Sequence, residues 1–295
     1  MLIYFSTDTS MIAPQISQLS TNTDLERIQL LKPIKIIFFD IDGTLIDMDK
    51  GHLTNLTLKT LQALKANDFI LCLATGRSPV SLPHFEGIDF DAYLTFNGSY
   101  CFNDQEDIYQ HPLIEADIQQ IVENANQIHR PVAIATKDRL LANGKDQDLV
   151  DYFSFAHQEV QVSDEFDRIA HQEPVYQLLV SCRSDNYDHL MQGTTDSKIT
   201  AWWDRAVDII PAKSGKGTGI KRILDYYSLE SSQALAFGDG NNDIEMLEAV
   251  GWGLAMANAS DDLKTIADEV IGHVADEGIY HYCVEHGLIE PIEAR

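Results

Sequence analysis

Short apolar runs alternate with amphipathic segments along most of the chain. The apolar runs have the length of buried strands and lie near residues 34–40, 69–74, 92–96, 234–238 and 253–256. The amphipathic segments carry apolar residues at helical spacing and lie near residues 54–66, 216–228, 242–250 and 260–267. This alternation predicts an α/β fold built on a doubly wound parallel sheet.

A different pattern interrupts the alternation between about residues 102 and 205. It predicts strands near 131–136, 175–182, 198–202 and 206–210, and helices near 114–129, 148–157 and 185–192. We therefore predict a core domain formed by residues 33–101 and 206–295, into which residues 102–205 are inserted as a second α/β domain.

The first 32 residues follow neither pattern. They are rich in Ser, Thr, Gln and Asn, and they lack the basic start and apolar centre of a signal peptide. We predict that residues 1–32 form a poorly ordered extension with a short helix near 24–31.

Residues 40–44 (Asp-Ile-Asp-Gly-Thr) place two carboxylates directly after the first apolar run. Two residues is the repeat of a strand, so Asp40 and Asp42 can point to the same side. Like charges at the end of a buried strand require a cation or a proton. Gly43 leaves room for close approach to the backbone, and Thr44 adds a hydroxyl. An acidic turn without function is the alternative interpretation.

A second acidic loop follows the apolar run 234–237. Residues 238–243 read Gly-Asp-Gly-Asn-Asn-Asp, and an amphipathic segment comes next. If the two strands are neighbours, the four carboxylates of Asp40, Asp42, Asp239 and Asp243 converge on one site with the oxygen ligands that Mg²⁺ prefers. A calcium loop does not fit, because its sixth and twelfth positions are Ile244 and Val250 instead of Gly and Glu.

Two further segments offer groups that bind anions. Thr75, Gly76 and Arg77 follow the second apolar run and supply a hydroxyl, main-chain N–H groups and a guanidinium. Lys216 lies at the predicted start of a helix, where the helix dipole also favours a phosphate. A solvated surface role is the alternative for Arg77 and Lys216. Residues 214–218 do not form a nucleotide-binding P-loop, because no Ser or Thr directly follows Lys216.

Together these segments resemble the haloacid dehalogenase-like phosphatase superfamily. Residues 40–44 resemble its first motif, Thr75 its second, Lys216 its third and residues 238–243 its fourth. The long insertion between the second and third motifs is similar to the α/β cap of the Cof-type subfamily. Further similarities lie at residues 95–98, 207–211 and 255–259, and the resemblance covers about residues 34–290.

The resemblance implies a role for each matching carboxylate. Asp40 would be the nucleophile that forms an aspartyl-phosphate. Asp42 would protonate the leaving group and then activate water. The carboxylates of Asp40 and Asp239 and the main-chain carbonyl of Asp42 would hold Mg²⁺, with Asp243 orienting its water.

The resemblance also assigns the phosphate and substrate groups. Thr75, Lys216 and Asn242 would bind the transferring phosphoryl oxygens. Gly76, Arg77 and Asn97 would contact the phosphate, the rest of the substrate or a supporting loop. Cap residues would set specificity. Four residues of the cap are candidate substrate contacts: His171, Trp202, Trp203 and Arg205. Packing is the simpler interpretation for the two tryptophans, and a structural role is the simpler one for His171.

The composition bears on the partners and the setting of the protein. The net charge of −25 opposes nucleic-acid binding, but it does not prevent a local cationic site from attracting a small phosphorylated metabolite. The four cysteines are far apart, which predicts reduced thiols in the cytoplasm. No apolar run approaches the roughly 18 residues of a membrane span. We expect a monomer or a homodimer.

The predicted function is Mg²⁺-dependent hydrolysis of phosphomonoesters. The resemblance favours sugar phosphates as substrates, followed by phosphorylated cofactors such as pyridoxal phosphate or flavin mononucleotide. A phosphomutase is the alternative enzyme, and a non-catalytic regulator that binds phosphorylated ligands is the alternative from a different class. The presence of both Asp40 and Asp42 opposes the regulator, because binding alone requires neither a nucleophile nor an acid.

Overall fold

The computed structural model describes residues 34–156 and 158–292. The extension 1–32 and its predicted helix lie outside these residues. The strands are β1 (Ile36–Phe39), β2 (Ile70–Ala74), β3 (Ala92–Thr95), β4 (Tyr100–Phe102), β5 (Asp107–Gln110), β6 (Val132–Ala135), β7 (Leu140–Ala142), β8 (Gln177–Val180), β9 (Ser197–Thr200), β10 (Val207–Pro211), β11 (Ala234–Gly238), β12 (Trp252–Ala255) and β13 (Glu269–Val270).

The helices connect these strands and cover the two sheets. They are α1 (Asn55–Ala66), α2 (Glu115–Gln127), α3 (Gln147–Ser154), α4 (Phe166–Gln172), α5 (Tyr187–Leu190), α6 (Lys216–Tyr227), α7 (Ile244–Ala249), α8 (Asp261–Ile266) and α9 (Gly278–Glu285). Among the described helices, none has both the length and the apolar character needed to cross a bilayer.

The larger sheet has eight strands in the order β13-β12-β11-β1-β2-β3-β4-β5. Its pairs are parallel from β13 to β3, which confirms the predicted doubly wound arrangement. The last two strands are antiparallel. They differ from the prediction because the short turn after Thr95 returns the chain beside β3, and a turn of this length can join only antiparallel strands.

The central strand β1 fixes the geometry of the site. It pairs with β11 on one side, where Phe39 faces Phe237, and with β2 on the other, where Phe39 faces Leu73. All four of its side chains are buried, as expected for a strand covered on both faces. The acidic loops after β1 and β11 and the loop after β2 therefore meet at one edge of the sheet.

Helices cover both faces of the larger sheet. Leu61 of α1 and Ile279 of α9 pack with Phe39 on one face. On the other face Ile220 of α6 and Met246 of α7 pack with β1. The apolar positions of α1, α6 and α7 occupy one side of each helix, which explains why the helical periodicity of these three could be read from the sequence.

The smaller sheet has five strands in the order β7-β6-β8-β10-β9, with antiparallel pairs. Helices α2, α4 and α5 pack on one face through Ile121, Ile169 and Leu190. The other face packs against α3 and approaches Phe96 and Tyr100 of the core. This second face is the one that borders the site.

The sheets divide the chain differently from the predicted boundaries. Strands β4 and β5 extend the larger sheet, so the chain leaves the core after residue 110 and not after 101. Strand β10 belongs to the smaller sheet, so the chain returns after residue 211 and not after 205. Backbone pairing decides both differences, and the apolar pattern alone does not specify which sheet a strand joins. Strands β4, β5, β7 and β13 and helices α4 and α9 were not predicted.

Candidate active site

Three carboxylates meet at the ends of β1 and β11. Oxygen atoms of Asp40, Asp239 and Asp243 all lie within 4.8 Å of one another. Burial raises the pKa of Asp40 to about 7, with Lys216 opposing the rise and Asp243 and Asp42 adding to it. Burial and the neighbouring Asp40 raise the pKa of Asp239 as well. The cluster therefore has the properties of a site for a cation.

Lys216 supplies one positive charge from the first turn of α6. Its side chain is fully buried, and Nζ donates hydrogen bonds to Asp40 Oδ1 at 2.6 Å and to Asp243 Oδ1 at 2.5 Å. Burial lowers the pKa of Lys216, but the two carboxylates outweigh burial and raise it. One ammonium faces three carboxylates, so negative charge remains in excess.

Both carboxylate oxygens of Asp243 accept hydrogen bonds from the protein. Oδ1 accepts from Lys216, and Oδ2 accepts from the main-chain N–H groups of Asp239 and Gly240, both at 3.0 Å. These bonds hold the loop that carries Asp239. The arrangement favours the supporting role that the resemblance implies for Asp243 over direct coordination of a metal.

Gly43 and Thr44 position Asp239. The Thr44 hydroxyl donates to Asp239 Oδ1 at 3.1 Å. Gly43 adopts a φ of +90°, and a Cβ on this residue would lie 2.1 Å from Asp239 Oδ2. Glycine is required here because the Asp239 carboxylate occupies the space of a side chain. The close approach predicted at Gly43 is therefore made by a carboxylate of the protein itself.

The Asp42 carboxylate does not join the other three, although the sequence predicted that all four would converge. Arg77 Nε donates to Asp42 Oδ2 at 2.8 Å and Nη2 donates to Oδ1 at 2.6 Å. The guanidinium also donates to the Ser81 carbonyl at 3.1 Å. Asp42 is outside the three-carboxylate cluster because a bidentate guanidinium provides its counter-charge. Arg77 is thereby engaged by a carboxylate, whereas the sequence suggested a bound anion. The predicted role of the Asp42 carbonyl is independent of this side-chain position.

Thr75, Gly76, Asn97 and Asn242 are the remaining predicted site residues. Thr75 is buried and lines the cavity, and its Oγ1 accepts from the Arg77 main-chain N–H at 3.1 Å. Asn242 lines the cavity and donates to Asn97 Oδ1 at 3.2 Å. Asn97 is buried in a left-handed conformation with a φ of 50°, and its Nδ2 donates to Asp208 Oδ2 at 3.1 Å. Asn97 thus links the core to the insertion. Gly76 lines the cavity beside Thr75.

A cavity of about 410 Å³ lies between the acidic edge of the core and the smaller sheet. Its core side includes Asp40, Asp42, Thr75, Asn242 and Asp239. Its other side is formed by the insertion and includes Tyr152, Phe155, Gln177, Leu179, Trp202 and Asp208. The predicted chemistry therefore faces a cavity that the second domain bounds on one side.

Sequence reasoning gave no role to Tyr152, Gln177 or Asp208, although residues 207–211 were among the similarities to the family. The available signal was a polar residue inside an apolar strand, since β8 reads Gln-Leu-Leu-Val and β10 reads Val-Asp-Ile-Ile-Pro. Trp202 lines the cavity and stacks on Tyr152 with ring centroids 5.3 Å apart.

The other three candidates from the insertion have structural contacts. Trp203 stacks on Tyr152, and the Arg205 guanidinium lies 4.1 Å from the centroid of the Trp203 ring. His171 contacts Glu115 at 3.0 Å on the surface. These contacts agree with packing for Trp203 and a structural role for His171.

Comparison with known proteins agrees with this geometry. The family model of the haloacid dehalogenase-like hydrolases matches residues 37–283. The chain is 31% identical over 257 residues to the putative phosphatase YkrA of Bacillus subtilis, covering 87% of this chain and 99% of that protein. It is 30% identical over 276 residues to the HMP-PP phosphatase of Citrobacter koseri, covering 87% and 97%.

A solved structure extends the comparison to the fold. The subclass IIB sugar phosphatase BT4131 superposes with a TM-score of 0.79 at 25% identity, covering 86% of this chain and all of that one. The match spans the core and the insertion together. The chain therefore belongs to the haloacid dehalogenase-like hydrolases, among their Cof-type phosphatases.

Proposed function

We propose that this enzyme hydrolyses phosphomonoesters of small metabolites in a Mg²⁺-dependent reaction through an aspartyl-phosphate on Asp40. The observation that carries the proposal is the buried cluster of Asp40, Asp239 and Asp243 around Lys216, in which Asp40 and Asp239 line the cavity beneath the insertion. Such a cluster has no packing function that apolar residues would not serve better.

The residues present fit a magnesium ion. Asp40 and Asp239 offer carboxylate oxygens. Burial, together with the neighbouring carboxylates, raises the pKa of both groups, and a divalent cation would stabilise their charged forms. Asp40, Asp239 and the main-chain carbonyl of Asp42 would hold the ion, while Asp243 supports the loop. When bound, the ion would neutralise this charge and polarise the phosphoryl group.

In the first step the Asp40 carboxylate attacks phosphorus. A bond forms between Asp40 and phosphorus, and the ester P–O bond breaks with its electron pair on the leaving oxygen. Asp42 gives that oxygen a proton, so the alcohol departs neutral. Arg77 holds the plane of the Asp42 carboxylate during this transfer.

In the second step Asp42 takes a proton from a water molecule that attacks phosphorus. The bond between phosphorus and Asp40 breaks, which releases inorganic phosphate and restores both carboxyl groups to their starting states. Thr75, Lys216 and Asn242 bind the phosphoryl oxygens in both steps, because charge on these oxygens is what the site must stabilise. Gly76 lies beside Thr75, Arg77 positions Asp42, and Asn97 positions Asn242.

Sugar phosphates are the leading substrate class. The cavity of about 410 Å³ suits a small leaving group, and one structural relative is named a sugar phosphatase. Phosphorylated cofactors are the second class, and one relative is named an HMP-PP phosphatase. We place the enzyme in the cytoplasm as a monomer or homodimer, and its charge of −25 opposes nucleic-acid substrates.

A phosphate-release screen over a panel of phosphorylated metabolites tests this function. Release that requires Mg²⁺ and stops with EDTA supports it. Isomerised sugar phosphate without released phosphate would indicate a phosphomutase. Tight metal-dependent binding without turnover on any substrate, including p-nitrophenyl phosphate, would indicate a regulator.

A further inference from the structure

One face of the smaller sheet forms the roof of the cavity. In this sheet Ala135 pairs with Gln177, and Leu179 pairs with Asp208. Residues paired across strands lie on the same face, and all four of these residues line the cavity. Gln177 and Asp208 are thus two polar groups in an otherwise apolar roof. The role of each depends on the atom that it presents.

Gln177 presents an acceptor. Its Nε2 donates to the Gly76 carbonyl at 3.2 Å, and a carbonyl can only accept, so the orientation of the amide is fixed. Its Oε1 is buried and has no hydrogen-bond partner among residues 34–156 and 158–292. A buried acceptor without a partner costs free energy, which a donor on a bound substrate would recover.

Asp208 presents a second acceptor. It is 2% exposed, and it accepts from the Tyr152 hydroxyl at 2.9 Å and from Asn97 Nδ2 at 3.1 Å. Both partners are neutral. Within the described part of the chain, no lysine or arginine contributes to its pKa, which burial raises to about 7. Each carboxylate oxygen keeps one lone pair for a further donor.

Trp202 forms a flat wall next to Asp208. Its Nε1 donates to the Tyr152 hydroxyl at 2.8 Å, so Trp202, Tyr152 and Asp208 form one hydrogen-bonded row. The indole stacks on Tyr152 and receives the edge of Phe155, yet it remains 39% exposed. A flat ring can stack on such a surface.

We propose that Gln177 and Asp208 form an acceptor pair which, with Trp202 as a wall, selects a leaving group built on a ring that carries hydrogen-bond donors. The hydroxyls of a sugar ring and the amino group of a substituted aromatic ring share this chemistry. The proposal rests on the phosphatase function proposed above. A site with buried acceptors discriminates strongly against analogues without donors, because the acceptors then remain unpaired.

A purely structural role for these residues makes a different prediction. Gln177 bonds to Gly76 and Asp208 bonds to Asn97, so both residues also join the insertion to the core. If joining the domains were their only role, their loss would slow every substrate in the same proportion. A selectivity ratio therefore separates the two roles.

The test compares three esters in the full-length enzyme with Mg²⁺. Glucose 6-phosphate and pyridoxamine 5′-phosphate carry donors on a ring, whereas the leaving group of p-nitrophenyl phosphate carries none. The variants are Gln177→Met, which removes the acceptor at similar volume, and Asp208→Asn, which replaces one acceptor by a donor. Gln161→Met, on the exposed surface of the insertion, is the control.

We expect kcat/KM for a donor-bearing ester, divided by kcat/KM for p-nitrophenyl phosphate, to fall about tenfold or more in both variants, mainly through KM. The control keeps the wild-type ratio. A larger fall of this ratio for glucose 6-phosphate indicates a sugar ring, and a larger fall for pyridoxamine 5′-phosphate indicates an aromatic ring. Equal losses on all three esters, or a wild type that hydrolyses p-nitrophenyl phosphate but neither ring ester, would overturn the proposal. A wild type inactive on p-nitrophenyl phosphate would contradict the phosphatase function itself.

Discussion

The guanidinium of Arg77 donates two hydrogen bonds, of 2.8 and 2.6 Å, to the carboxylate of Asp42. A third bond, from Arg77 to the Ser81 carbonyl, fixes the guanidinium in turn. A bidentate pair fixes both the position and the plane of a carboxylate, which a lysine cannot do. The proposed acid and base is therefore held at the cavity wall before substrate arrives, and this orientation can be tested.

Arg77→Lys should slow alkyl phosphates more than p-nitrophenyl phosphate. The lysine keeps the charge but loses the bidentate geometry, so Asp42 transfers its proton less efficiently. Alkoxide leaving groups need that proton, whereas nitrophenolate departs with little help. We expect about a tenfold to hundredfold fall in kcat for an alkyl phosphate. Equal losses on both substrates would contradict the orienting role, and Arg168→Lys on the surface serves as control.

Asp40→Asn should abolish turnover and leave the protein folded. The amide is not a nucleophile, and the change removes one member of a crowded carboxylate cluster, so thermal stability in EDTA should be maintained or rise. Activity is measured with p-nitrophenyl phosphate, and Asp49→Asn on the exposed neighbouring loop is the control. Activity of the folded variant within tenfold of wild type would remove Asp40 from the mechanism.

Gly43→Ala should weaken Mg²⁺ binding. Alanine is strained at a φ of +90°, and its Cβ would displace the Asp239 carboxylate. Gly287→Ala is a matched control, because its φ is +67° but nothing lies within 4 Å of the added Cβ. We expect the positive φ to cost each variant about 1 kcal/mol of stability, and Gly43→Ala to lose more because of the contact with Asp239. Only Gly43→Ala should raise the Mg²⁺ concentration needed for half-maximal activity, and an unchanged requirement would contradict the assignment of Asp239.

The raised pKa of Asp208 predicts a pH dependence of stability. Its ordinary value of 3.8 rises to about 7 in the folded state through burial. Between these values the folded state keeps a proton that the unfolded state loses, so the stabilisation present below about pH 4 disappears as the pH rises to about 7. The slope is at most about 1.4 kcal/mol per pH unit.

Urea unfolding of the wild type and of Asp208→Asn, in EDTA between about pH 4 and pH 8, isolates this group. The free energy of unfolding of the wild type, minus that of the variant, should fall with rising pH and level off above about 7. A difference that is constant over this range would show that Asp208 titrates normally.

The floor of the site was predictable from the sequence for a geometric reason. Parallel strands present their carboxyl ends at one edge, so residues directly after β1, β2 and β11 had to be neighbours once the strands were adjacent. For Asp40, Asp239 and Thr75, the adjacency of these strands was the one further condition.

The roof and the orientation of Asp42 were not predictable in the same way. The contact of Arg77 with Asp42 depends on side-chain directions in two loops, and the pairing of Leu179 with Asp208 depends on strand register in the insertion. Neither is encoded by local periodicity. A single polar residue in an apolar strand was the only local sign of Gln177 and Asp208, and this pattern is also found in edge strands that face solvent.

A phosphoryl group carried by Asp40 is the central intermediate of the proposed mechanism. Asp42→Ala should form this intermediate from p-nitrophenyl phosphate, because nitrophenolate leaves without an acid, but it should hydrolyse the intermediate slowly, because the base is absent. Rapid mixing should show a burst of nitrophenolate followed by turnover roughly a hundredfold below wild type. Mass spectrometry of the quenched protein should find the phosphoryl group on Asp40. A variant that turns over at the wild-type rate without a burst, or a phosphoryl group on any other residue, would contradict the mechanism.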